Sequence, residues 1–197
     1  MTGLLLGALL APLLAPARPE AQDLLRRLTP PAWMAGGSAA NLLGTDHLGR
    51  DVLSRLLYGA RVSSVVGLTA VVLSGLAGTL LGLAAGYYGA RVDLVVMKLL
   101  ELFLTIPFVL LALVVMALFG QGLGVLIVVI CLNCWIHYCL VIRGEVLSLR
   151  ERDFVAGARA LGVSTPRILL RHILPNTVAS LSVVTTFSLA TIILIEA

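Results

Sequence analysis

The chain has 197 residues, 59% of them hydrophobic and only 12% charged, with a mean hydropathy of +1.05. Soluble domains carry about twice that share of charge, so the composition excludes a soluble domain and points to an integral membrane protein. Basic side chains outnumber acidic ones by 14 to 10, but the arginines gather at the edges of apolar segments with no interleaved aromatic stripe, which excludes a nucleic-acid surface.

Residues 3–15, GLLLGALLAPLLA, are apolar but shorter than the roughly 20 residues of a complete span. No basic n-region precedes them, so they read as a first transmembrane helix whose start lies outside the chain, or as a short interfacial segment. Residues 16–61 are polar and mixed, and Pro30-Pro31 and Gly36-Gly37 mark irregular structure. The stretch ends in GTDHLGRDVLSRLLYGARVS, residues 44–63. There Asp46 can cap the turn that starts a helix, and Leu53, Leu56 and Leu57 form an apolar face suited to a bilayer surface.

A second span is expected over 62–88, closing on Tyr87 and Tyr88, whose rings suit the interface. Gly78, Gly82 and Gly86 recur every four residues, which predicts close approach of another helix rather than a solute site. The third span covers about 94–119. In it Lys98 and Glu101 can pair on one face, and Pro107 predicts a kink, either for packing or beside a conduit. Gly120 to Gly124 make a tight turn that follows an apolar helix rather than a strand, which separates it from nucleotide-binding glycine loops. The fourth span, 123–142, is the most polar inside. Asn133 and His137, four apart, share a face and either hydrogen-bond between helices or point into a wet cavity. Cys131, Cys134 and Cys139 read as small buried apolar side chains, because a Cys-x-x-Cys pair in hydrocarbon lacks the further donors that zinc requires. Neither a metal site nor a cofactor is expected.

Residues 143–175 set six arginines (Arg143, Arg150, Arg152, Arg159, Arg167, Arg171) against Glu145, Glu151 and Asp153. By the positive-inside rule this short loop belongs in the cytoplasm, which places 89–93 there too and 16–61 outside. Within it FVAGARALGVSTPRILLRHILPN, residues 154–176, mixes polar and apolar residues at helical spacing. Ala156, Ala158, Ala160 and Leu161 favour a short helix that Gly162 ends, since glycine takes the left-handed conformation freely. Ser164 or Thr165 can cap a second helix, Pro166 fits its first turn and Pro175 closes it. A fifth span follows from about 178 to 197.

The 154–176 run resembles the cytoplasmic loop of bacterial ATP-binding-cassette importer permeases, known by its Glu-Ala-Ala motif. Gly157 and Ala158 take the two small positions, Gly162 the glycine and Ile173-Leu174-Pro175 the ending, while Ala156 stands where the motif has glutamate. Gly44, Thr45, Asp46, Gly49, Arg50, Asp51, Ser54 and Arg55 resemble the run before the second membrane helix in the dipeptide, oligopeptide and nickel branch of that superfamily. MKLLELFLTIPFVLLAL and the set Trp135, Tyr138, Arg143 and Gly144 are similar to the same branch, although Cys139-Leu140 replaces its Ala-Arg.

The resemblance implies an all-α polytopic helical bundle of a bacterial inner membrane with about five transmembrane helices present. Residues 1–61 would hold a partial first helix and an external amphipathic segment, 62–197 the permease domain, and 143–176 the coupling loop. It implies a permease subunit that passes peptides or a related small solute, nickel included, inward. It also implies a chain truncated at both ends, because the branch continues into an outer loop and a sixth helix. The implied partners are cytoplasmic ATP-binding-cassette ATPase subunits, a second homologous permease subunit, an external solute-binding protein and membrane lipid. Ala156, Gly157, Ala158, Arg159, Gly162, Pro166 and Pro175 would form the ATPase contact, and Pro107, Asn133 and His137 would line the solute path. No GxxxxGK[ST] loop is present, so ATP hydrolysis falls to a partner. A self-contained secondary transporter would want inverted repeats and intramembrane acids, for which only Glu101 and Glu196 are candidates. An intramembrane hydrolase would need a GxSxG or HExxH motif to join Ser63, Ser64, Ser74, Ser182 or His137, and none does.

Overall fold

The computed structural model describes residues 11, 12 and 14–196, and the side chains of all these but Glu196. Most of the expected first segment, and the end of the fifth span at Ala197, lie outside the described residues; of that first segment Ala11, Pro12 and Leu14 are helical. The described residues form two compact units, one up to Val66 and the other from Gly67 to Glu196.

In the first unit the chain from residue 15 to residue 51 has one 3-10 turn, Leu24–Arg26, and a single bridge between Thr45 and Asp51. Its order comes from polar side chains turned inward. Asp46 accepts hydrogen bonds from the Leu48 and Arg50 amides at 2.9 and 3.0 Å, from Arg50 Nε at 2.8 Å and from Arg55 Nη1 at 2.6 Å. Burial raises its carboxyl pKa, but the bonds from Arg50 and Leu48 outweigh that and hold it well below the usual carboxylate range. Thr45 is buried, donates to the Arg26 carbonyl and accepts from the Thr29 amide at 2.9 Å. Gly44 and Gly49 have φ of +78° and +72°, and a Cβ there would stand 2.4 Å from the Thr29 oxygen and 1.8 Å from the Asp23 oxygen, so only glycine fits. The helix cap is Asp51, not Asp46: Asp51 Oδ2 accepts from the Ser54 amide at 2.7 Å, and Oδ1 holds the Asn41 side chain at 3.0 Å. Both aspartates suit a cap, and Asp46 is taken up by the preceding turn.

Asp51 starts α1, Val52–Tyr88, whose 37 residues would span about 55 Å against a hydrocarbon core of about 30 Å. Residues 52–61, expected to precede the span, are thus the first turns of the same helix.

In the second unit α1 continues from Gly67, and a tight turn at Gly89 (φ +60°) leads into α2, Ala90–Thr105. Pro107 separates α2 from α3, Phe108–Phe119, and the two axes diverge by 88°. The expected kink is therefore a full break: proline offers no amide to the ladder and its ring displaces the preceding turn. Lys98 and Glu101 pair as expected, at 2.6 Å and both exposed. Residues 120–122 turn the chain into α4, Leu123–Leu149, so that Gly124 is already helical. This helix runs seven residues past the expected end of the span, taking in Arg143–Leu149.

The glycine stripe does what its spacing predicts. A Cβ on Gly78 would lie 2.3 Å from the Trp135 oxygen, on Gly82 2.7 Å from the Cys139 oxygen, and on Gly86 2.7 Å from Val146 Cβ, so α1 meets the α4 backbone directly. Ala85, Val96, Leu100, Trp135, Ile136 and Cys139 form one core, with Phe103 edge-on to Trp135 at 5.8 Å between centroids. Cys134 and Cys139 are buried and Cys131 half-buried, all as free thiols in apolar packing.

After α4 comes the short helix α5, Asp153–Ala160, then α6, Thr165–Ile168. Pro175 does not close the helix that α6 begins. The chain passes through a π-turn, Leu169–Ile173, and a 3-10 turn, Leu174–Thr177, directly into α7, Val178–Glu196. The changed winding carries the chain past the missing proline amide, and two side chains add bonds to nearby carbonyls: Asn176 Nδ2 donates to the His172 oxygen at 2.6 Å and Thr177 Oγ1 to the Leu174 oxygen at 2.9 Å. Among the described residues three helical runs, Val52–Tyr88, Leu123–Leu149 and Thr165–Ile195, are long and apolar enough to cross a membrane, or four if the bent pair α2 and α3 counts as one broken span.

Candidate functional site

The bend after α5 is a Schellman motif. The Gly162 amide donates to the Arg159 oxygen at 2.9 Å and the Val163 amide to the Ala158 oxygen at 3.1 Å, with Gly162 at φ +75°. Val163 folds back onto the cluster that holds Ala158, the apolar contact that accompanies this motif. Ser164 occupies the next cap position, but its hydroxyl makes no cap bond; its carbonyl takes the Arg167 and Ile168 amides, each at 3.0 Å, with Pro166 in the first turn as expected.

One face of α5 is an anchor. Val155 and Ala158 are buried with Leu83, Ile142, Val146, Ile168 and Ile173, so α5 rests on α1, α4 and the strand of turns that follows it. Burying Val155 alone contributes about 2 kcal/mol. The other face is open. Ala156, Gly157, Ala160 and Leu161 are exposed, Leu161 at 85%, and no atom lies within 4 Å of a Cβ built on Gly157 or Gly162. Ala158, expected with Ala156 and Gly157 at the partner contact, is therefore on the anchoring side, because it stands three residues after Val155 and shares its face. Arg159, Gly162, Pro166 and Pro175 are exposed.

Polar struts tie this end of the unit together. Arg159 donates from Nε to the Tyr87 hydroxyl at 3.2 Å and lies over the Tyr87 ring at 4.9 Å. Arg150 Nη1 donates to the Gly86 carbonyl at 2.9 Å, filling one of the acceptors left open at the C-terminus of α1. Arg143 forks onto the Asp93 carboxylate, with Nη2 at 2.7 Å from Oδ2, joining α4 to the first turn of α2. Ser180 donates to Glu145 at 2.6 Å, joining α7 to α4. Sequence reasoning took Tyr87 as an interface anchor and the arginines as topology signals; their partners lie 50 to 72 residues away and leave no local pattern.

Of the expected path residues, Asn133 and His137 do share a face. They line a cleft of about 50 Å³ between α4 and α7 with Cys134, Phe187, Ser188, Thr191 and Ile195. Neither makes an interhelical hydrogen bond among the described residues, and Pro107 lies at the α2–α3 break, outside this cleft. Ser188 and Thr191 were not expected there, since α7 carries serines and threonines on several faces.

Residues 78–197 match the family model described as binding-protein-dependent transport system inner membrane component. The chain is 42% identical over 187 residues to the di/tripeptide transport system permease protein DppC of Pseudomonas aeruginosa, covering 95% of this chain and 62% of that protein. It is 38% identical to the dipeptide transport system permease protein DppC of Haemophilus influenzae, over 95% of this chain and 63% of that one, and 35% identical to DppC of Bacillus subtilis, over 96% and 57%. The chain thus spans about three fifths of the length of these curated relatives. The apolar helices, the bent loop helix and the match over more than half the chain together show that this is a multi-pass membrane protein belonging to the family of binding-protein-dependent transport system inner membrane components.

Proposed function

We propose that the chain is the membrane-spanning permease subunit of an ATP-driven importer that passes peptides inward across the cell membrane. The names of its relatives support a peptide cargo, and none of them points to nickel. The observation that carries the reading is α5: a helix anchored by Val155 and Ala158, ended by Gly162, with a small-residue face open for a partner. Cytoplasmic ATP-binding-cassette ATPase subunits would seat Ala156, Gly157 and Leu161 in a groove. Arg159, Gly162, Pro166 and Pro175 hold the angle at which that face is offered, and Ala158 anchors it.

ATP binding would draw two ATPase subunits together and push α5. Because Arg150 and Arg159 fasten its flank to the end of α1, and the glycine stripe seats α1 on α4, the push reaches two spans as one body. A second homologous permease subunit would complete the path, and an external solute-binding protein would deliver the peptide. Residues 16–61 would form the external segment and 143–176 the coupling loop. Pro107, Asn133 and His137 remain the candidates for lining the path.

The test is affinity purification of the chain from native membranes, beside a Gly162→Asp variant. No atom crowds this position, but the positive φ disfavours a side chain and the new carboxylate meets the partner face. The expected result is an ATPase and a second permease with the parent, and loss of the ATPase alone with the variant. Failure of either form to bring down an ATPase would sink the reading.

A further inference from the structure

The cleft between α4 and α7 carries polar groups that the fold leaves open. Asn133 and His137 are four apart on α4, Ser188 and Thr191 three apart on α7, and the four face one another across a space of about 50 Å³, room for a few waters. Ser188 is only 5% exposed, yet among the described residues its hydroxyl makes no hydrogen bond, and neither does the Asn133 amide or the His137 ring. The Thr191 hydroxyl is spent on the Phe187 carbonyl at 3.0 Å. The two helices are already joined beside the cleft, by Tyr138 and Thr185 at 3.4 Å, so packing has had its chance to pair these groups and has not. Side-chain polar groups left without a partner along a membrane helix are costly, which argues for a polar visitor.

We infer that this cleft binds the main-chain amide groups of the transported peptide during its passage, an inference that rests on the importer reading above. The chemistry fits that class. Asn133 and Ser188 each donate and accept, as does a neutral imidazole, so both the N–H and C=O of an amide find partners. Among the described residues no carboxylate, ammonium or guanidinium lines the space, so nothing there selects a peptide's side-chain charges. Phe187 and Ile195, both exposed, form the apolar rim of the cleft.

The experiment uses the assembled complex, with its ATPase, second permease and binding protein, in proteoliposomes. Cys131, Cys134 and Cys139 are replaced by alanine and Ser188→Cys is added, a near-isosteric reporter. A water-soluble methanethiosulfonate should modify this thiol, and saturating dialanine should slow the modification at least threefold. Separately, Ser188→Val with Asn133→Leu should lower ATP-driven uptake of labelled dialanine about tenfold while ATP hydrolysis stimulated by the binding protein persists. A thiol that is unreactive in every nucleotide state, or reactive at a rate dialanine does not change, overturns the inference and leaves the cleft a packing defect or a subunit contact. Unchanged uptake by the double variant overturns it as well. If the parent complex shows no ATP-driven dialanine uptake, the importer reading itself falls, and the cleft's proposed occupant with it.

Discussion

Arg159 lies over the face of Tyr87, 4.9 Å from the ring centroid, and also donates to its hydroxyl at 3.2 Å, so one side chain grips another by both its π-face and its polar tip. The grip ties the bent loop helix to the last turn of a long span, and its two components can be separated. Tyr87→Phe keeps the ring and loses the hydrogen bond; Tyr87→Ala loses both. Each component contributes on the order of 1 kcal/mol. In reconstituted complexes Tyr87→Phe should retain most of the uptake obtained per ATP hydrolysed, and Tyr87→Ala or Arg159→Ala should cut that ratio severalfold with the ATPase still bound. Equal ratios in all three would mean that the pair is decoration.

The glycine stripe predicts a graded loss of stability. At Gly82 a Cβ would stand 2.7 Å from the Cys139 carbonyl oxygen, a backbone atom that cannot move aside without shifting α4. Gly82→Ala should destabilise the unit by about 1–3 kcal/mol, read as a lowered midpoint in a detergent thermal-unfolding assay. Gly59→Ala on the same helix meets nothing within 4 Å and should unfold at or slightly above the parent midpoint, since alanine is the better helix former.

Asp46 makes the first unit sensitive to acid in a defined direction. Its pKa is held down in the folded state, so its contribution is complete above the ordinary aspartate pKa of about 4 and drains away as pH falls toward the lowered value. Amide exchange at residues 44–51, corrected for intrinsic rates, should stay protected at neutral pH and open progressively below about pH 4. Asp46→Asn should show the opened pattern already at neutral pH, because the amide cannot hold two arginines.

Asp51→Ala should act at the helix start instead. Loss of the cap to Ser54 costs about 1 kcal/mol and also frees Asn41. Faster exchange should be confined to the first turn of α1 and to the residues around Asn41. A change reaching α4 would contradict the local role.

The stripe at Gly78, Gly82 and Gly86 and the bend at Gly162 were legible in the sequence because each has one dominant physical cause: close backbone approach, and a left-handed cap. Pro175 was misread for the opposite reason. Proline ends helices when the chain cannot rewind around it, and here a π-turn and a 3-10 turn carry the winding past it. Between Asp46 and Asp51 the choice of cap was decided by Asn41 and Arg55, which local pattern does not reach. The shared face of Asn133 and His137 was plain from their spacing, but the helix opposite them was not, and neither was the pairing of Arg159 with Tyr87 across 72 positions.

The π-turn at Leu169–Ile173 has a consequence for everything that follows it. Such a turn holds one residue more than an α-helical turn, and each residue of an α-helix advances the winding by about 100°. Deleting a single residue there would let the segment rewind as ordinary α-helix with the phase of α7 kept, because the five residues of the π-turn and four residues of an α-helix sweep about the same angle. Ser188 and Thr191 would keep facing Asn133 and His137, with the loop helix and its open face untouched. The wide turn thus absorbs one surplus residue without turning the membrane helix, whereas the same deletion inside α7 itself would rotate all that follows by about 100°.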